Sequence, residues 1–125
     1  MVRLVIFLLG GLILVGCGQR ADDHYAKVAA ARATLPRVFM VSELSHSMIP
    51  VIKPGDLIIC NPFPWEKLES GMDVLYWPVG SSVPVCHRLR IKIAQGLWEA
   101  HGINNPVNDP WYVSKENYLG VVVKQ

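Results

Sequence analysis

Three residue types that together perform nucleophilic acyl transfer occur in this chain in the order Ser47, His87, Asp109. Ser47 lies in Ser45-His46-Ser47-Met48-Ile49-Pro50, followed by Lys53-Pro54-Gly55-Asp56 and the apolar run Leu57-Ile58-Ile59-Cys60. This is a polar, proline-bounded turn leading into a strand, and a strand holds the turn still, as a nucleophile requires. A serine hydroxyl attacks a carbonyl at neutral pH only if a base takes its proton as the bond forms. His87, within Cys86-His87-Arg88-Leu89, is the candidate base, because imidazole titrates near neutrality. Asp109, within Asn108-Asp109-Pro110, can hold the second ring nitrogen and stabilise the imidazolium. The backbone N–H of Ser47 and the hydroxyl of Ser45 are candidate oxyanion donors. His46 is an alternative base by proximity, but adjacent side chains of an extended segment point apart.

The elements that must position these residues are mostly strands. Val38–Val41 reads as a strand leading into the serine turn, and Asp56–Cys60 as the next. Asn61-Pro62-Phe63-Pro64-Trp65 interrupts it, and Trp65–Leu68 suits one helical turn. Gly71-Met72-Asp73 opens a strand over Val74–Trp77. Pro78–Ser82 connects to a long strand, Val83–Ile93, that carries His87. Leu97–His101 is a short strand, Asn104–Pro110 a loop of turn formers, and Tyr118–Val123 the closing strand. Short strands with Gly/Pro punctuation predict a mostly-β fold, a small barrel or folded sheet over 38–125. Arg88, Arg90 and Lys92 alternate, so in a regular strand they share a face, either a solvated strand face or a small patch for anionic lipid or substrate.

The N-terminal part differs in composition. After Met1-Val2-Arg3, Leu4–Val15 is apolar apart from two glycines. It is shorter than the roughly 20 residues of a membrane-spanning helix and suits a signal-peptide core. Residues 18–37, with the alanine-rich run Tyr25–Ala33, predict a helical spacer whose apolar face packs on the domain or lies on lipid; Pro36 ends it. Without the first 17 of 125 residues, about 108 remain, enough for one modest core. A net charge of +2 with scattered basic residues argues against a nucleic-acid partner. No Cys/His cluster has metal-ligand spacing, so no metal and no other cofactor is expected. Cys60 and Cys86 are either a disulfide or two buried thiols. Phe63, Trp65 and Trp77 are either core or an exposed rim that dips into lipid.

Two resemblances sharpen these expectations. Leu14-Val15-Gly16-Cys17 resembles the lipobox of bacterial lipoproteins, which implies cleavage before Cys17 and lipid on its sulfur. An uncleaved anchor over 1–17 is the alternative. The chain from about 38 to 123 resembles the signal peptidase superfamily. Ser45-His46-Ser47-Met48-Ile49-Pro50 with Gly55-Asp56 is similar to Ser-x-Ser-Met-x-Pro followed by Gly-Asp. Gly71-Met72-Asp73-Val74 is similar to Gly-Asp-x-Val with one residue inserted. Cys86-His87-Arg88-Leu89 is similar to the box that carries the general base, and Gly102–Asp109 to the Gly-Asp-Asn-Asn…Asp loop. Histidine rather than lysine at 87 resembles the archaeal and endoplasmic-reticulum branch.

The resemblance implies a folded β-sheet of the signal peptidase/LexA-like catalytic type and a serine endopeptidase. In it Ser47 is the nucleophile, His87 the base, Asp109 its support, and Ser45 with Ser47 the oxyanion hole. Its substrates would be exported pre-proteins, cut after small residues on the extracytoplasmic side of a membrane that also supplies the lipid partner. His46 stands where glycine is usual, and Ile103 replaces an aspartate. These departures keep two alternatives open: a maturation protease for one partner, and an inactive lipoprotein that uses the fold to bind peptides.

Overall fold

The computed structural model describes residues 9–42, 44–93 and 96–125, with residues 9–20 described by backbone alone. The basic start, the first part of the apolar run and the side chain of Cys17 lie outside that description. Helix α1 (Leu9–Arg32) is followed by strands β1 (Arg37–Met40), β2 (Leu57–Asn61), β3 (Asp73–Tyr76), β4 (Val85–Ile93), β5 (Leu97–His101), β6 (Tyr112–Val113) and β7 (Tyr118–Lys124). A single 3-10 turn, Trp65–Lys67, separates β2 from β3. The strands form one antiparallel seven-stranded sheet in the order β1-β2-β7-β3-β4-β5-β6. The mostly-β expectation holds. The two-residue β6, paired with β5, lies between the expected loop 104–110 and the expected closing strand, where the sequence assigns no element.

The central strands are apolar on both faces because both faces are covered. On β3, Leu75 belongs to a core with Val28, Met48, Ile52, Ile58, Cys60, Leu119 and Val122. Its neighbours Val74 and Tyr76 belong to a second core with Leu68, Leu89, Trp98, Ala100, Val113 and Tyr118. Side chains alternate across a strand, so successive residues of β3 feed opposite layers. That is why Val74-Leu75-Tyr76 reads as a continuous apolar run.

The helix is one continuous element across the expected boundary at Cys17, and its second half packs on the domain. Val28 is fully buried in the first core, a contribution of roughly 1.5 kcal/mol or more. Arg32 donates from Nε and Nη2 to the Tyr118 carbonyl at 3.0 and 2.8 Å. The helix ends at Arg32, ahead of Pro36. Ala33 N–H reaches the Ala29 carbonyl and Thr34 caps the Ala31 carbonyl with both its N–H and its hydroxyl. Among the described residues no helix is long and apolar enough to cross a membrane.

Two local expectations change. Phe63 and Trp65 pack against the second core and Trp77 against the first, so they are core-edge residues rather than an exposed rim. The alternation of Arg88, Arg90 and Lys92 is broken by a register shift between Leu89 and Ile91. Arg88 faces Asp73 and Arg90 lies near Glu99, so no uniform cationic face forms.

Candidate active site

The serine turn is fixed from below and from the side. Ile52 and Val51 donate their N–H groups to the Met48 carbonyl at 2.9 Å, and the Met48 and Ile52 side chains plug into the first core. At its exit, Asp56 accepts the Lys53 N–H at 2.7 Å, and Val41 and Asp56 tie the turn to the end of β1. That N–H, with Lys124 nearby, holds the Asp56 carboxyl below its usual range.

From the side comes the loop after β5. Asn104 donates its N–H to the Ser47 carbonyl at 2.7 Å and its amide to the His46 carbonyl at 3.1 Å. Gly102 lies so close that a Cβ there would sit 2.6 Å from the Ser47 carbonyl oxygen and 2.7 Å from Ser47 Cβ. Only glycine permits that approach. Ile103, where the resemblance suggests an acid, packs against the first core instead.

His87 reaches the turn from β4, where it pairs with Val74. Its Nε2 is 2.8 Å from Ser47 Oγ. Its Nδ1 is 2.8 and 2.6 Å from the two carboxylate oxygens of Asp109. A carboxylate only accepts, so Nδ1 carries the proton and donates to Asp109. Nε2 is then a lone pair facing the Ser47 hydroxyl, which donates to it. The Asp109 carboxylate is nearly out of water, with its side chain 4% exposed, and its N–H is held by the Ala100 carbonyl at 2.8 Å.

All three residues read from the sequence as catalytic are thus brought together. Ser45 lines the same cleft as Ser47 and His87. Among the described residues the Ser47 N–H has no protein acceptor. The backbone of Cys17 is helical. Cys60 and Cys86 are free thiols, and burial pushes them up to about 11 and about 12. His46 is exposed, and its carbonyl, not its ring, is held at the site. Among the described residues no group of three His, Cys, Asp or Glu side chains is placed to hold a metal ion.

Two further residues contribute in ways the sequence does not give, Tyr76 and the Asp73 of the Gly71-Met72-Asp73-Val74 box. Tyr76 donates its hydroxyl to Asp109 Oδ2 at 2.5 Å; a tyrosine in an otherwise apolar strand was the available signal, because a buried hydroxyl needs a partner. Asp73 forms a two-point ion pair with Arg88 at 2.8 and 3.1 Å, locking β3 to β4 next to His87.

In front of Ser47 and His87 lies a cleft of about 800 Å³. Its floor is apolar, from Met48, Ile52, Ile58 and Leu75, and its sides are the end of β1 and the segment Val83–Val85. No protein-family model matches the chain, and no curated protein matches it.

Proposed function

We propose that this chain is a membrane-tethered serine endopeptidase of the signal peptidase superfamily, histidine-base branch, that cuts exported proteins after small residues. The observation that carries this reading is the unbroken line Ser47 Oγ, His87 Nε2, His87 Nδ1, Asp109, with 2.8 Å at its first step and 2.6 Å at its last. In that line Ser47 Oγ attacks the peptide carbonyl carbon while its proton moves to His87 Nε2. Asp109 stabilises the resulting imidazolium. The Ser47 N–H and the Ser45 hydroxyl are the donors for the oxyanion. The imidazolium then protonates the leaving amine, and water attacks the acyl-serine with His87 again taking the proton.

The cleft supports a peptide substrate. β1 is an end strand of the sheet, and Phe39, Met40 and Val41 line the cleft beside the nucleophile. An extended peptide can add to such an edge by main-chain hydrogen bonds while alternate side chains enter the apolar floor. Lipid on Cys17, on the extracytoplasmic side, is the tether in this reading.

Co-expression with an exported Ala-x-Ala reporter tests the proposal. The expected result is mature reporter with the wild-type chain and only precursor with Ser47→Ala. Equal processing by the two overturns the assignment of Ser47.

A further inference from the structure

Two buried tyrosines sit opposite each other in the sheet, Tyr76 on β3 and Tyr118 on β7. Their hydroxyls have different partners. Tyr118 donates to the backbone carbonyl of Phe63 at 2.8 Å, the ordinary way of satisfying a core phenol. Tyr76, fully buried, donates to Asp109 Oδ2 at 2.5 Å, the oxygen that His87 Nδ1 also approaches to 2.6 Å.

The direction of this bond is fixed by chemistry, because a carboxylate has no proton to give. Burial first, then the bond to Asp109 and its negative charge, raise the Tyr76 phenol far above its ordinary range. It therefore remains a donor wherever the protein is folded. Two oxygens of Asp109 face one Nδ1–H, and a second donor on Oδ2 restrains the carboxylate's rotation. That donor also draws negative charge away from the imidazole, as charge-assisted bonds do.

We propose that Tyr76 is a positioning residue for the Ser47–His87–Asp109 line, fixing the Asp109 carboxylate and moderating its pull on the His87 proton. The inference rests on the reading of Ser47 as nucleophile and His87 as base. Tyr118 supplies the contrast of a tyrosine that only holds the core.

The test compares Tyr76→Phe with Tyr118→Phe in the full chain. Each loses one buried hydroxyl and leaves the ring in place. Peptide cleavage is followed across pH, and the low-field proton resonance of His87 Nδ1–H is followed by NMR. With Tyr76→Phe, kcat falls about tenfold at constant KM, the size expected for one charge-assisted bond. The acidic limb of the profile moves to higher pH, because a carboxylate with undiluted charge keeps the proton on His87 longer. The Nδ1–H resonance moves as well. In an Asp109→Asn background Tyr76→Phe adds almost nothing, because its effect passes through that carboxylate. Tyr118→Phe lowers thermal stability and moves none of these. If Tyr76→Phe tracks Tyr118→Phe in every readout, Tyr76 is a core residue and the proposal falls. Absence of cleavage, or cleavage that survives Ser47→Ala, removes the endopeptidase reading alone; the Nδ1–H resonance still decides for or against Tyr76.

Discussion

His24 and His87 both pack on this sheet and both use Nε2 in a short hydrogen bond, yet their chemistry is opposite. His24 Nε2 meets the Trp77 carbonyl at 2.7 Å, with its ring edge-on to the indole at 5.4 Å between centroids. A carbonyl only accepts, so that nitrogen is bound to keep its proton and the ring works as a fastener between α1 and the sheet. His87 has the reverse arrangement. Its other nitrogen serves the carboxylate, and Nε2 is left facing a group that can donate. On the proposed reading, the difference between a fastener and a base lies in what stands opposite each ring nitrogen.

Substitution separates the two most sharply. His87→Ala is expected to reduce reporter-peptide cleavage by about 10⁵-fold, in the range seen when a nucleophile–base pair is broken. His24→Ala should leave kcat/KM unchanged. Equal losses in the two variants would remove the distinction.

Gly102→Ala tests the same contrast from the serine side. The added methyl meets the Ser47 backbone and its Cβ at under 3 Å, so the turn must shift away from His87. Cleavage should fall about 10²-fold, as for ångström-scale misplacement of a reacting group. The seat of His24 should be untouched, which the indole fluorescence of a chain retaining only Trp77 can report.

His24→Ala itself should cost about 1 kcal/mol of stability, the worth of one hydrogen bond and an edge contact, read as a lowered denaturant midpoint. A separate effect, on stability alone, concerns the core beside the polar line. Cys60 and Cys86 ionise near 11 and 12 in the folded chain against 9.0 for a free thiol. Above pH 9 the unfolded state therefore loses protons that the folded state keeps, and stability falls as pH rises from 9 towards 11. Denaturant midpoints at pH 8 and pH 10.5 measure it, and a Cys60→Ala, Cys86→Ala chain should show a shallower decline.

The parts of this arrangement that were legible beforehand are those carried by local pattern. Ser47, His87 and Asp109 each stand in a short stretch whose turn or strand character is written in its neighbours, and the prolines and glycines around 50–56 and 78–82 mark the turns between strands. What could not be read depends on register and long-range approach. Tyr76 meets Asp109 only because β3 pairs with β4 while the loop after β5 folds back over it. Gly102 looks like any loop glycine until the Ser47 backbone is placed against it. The docking of α1 rests on Val28, His24 and Arg32 scattered through an alanine-rich run, too weak a pattern to choose between sheet and lipid. The extra residue near Arg90 changes which side chains share a face, and composition carries no trace of it.

The double-sided burial of β3 has a consequence for motion. Val74, Leu75 and Tyr76 have neither an exposed face nor an unpaired edge, so their amides open to solvent only when the whole sheet comes apart. Ser47, in contrast, stands on a half-buried turn held by loop contacts that can open locally. The line of hydrogen bonds therefore runs from a strand covered on both faces at Tyr76 to a turn held by loop contacts at Ser47. The end at Tyr76 is the fixture, and on the proposed reading any breathing that admits or releases a peptide is concentrated at Ser47.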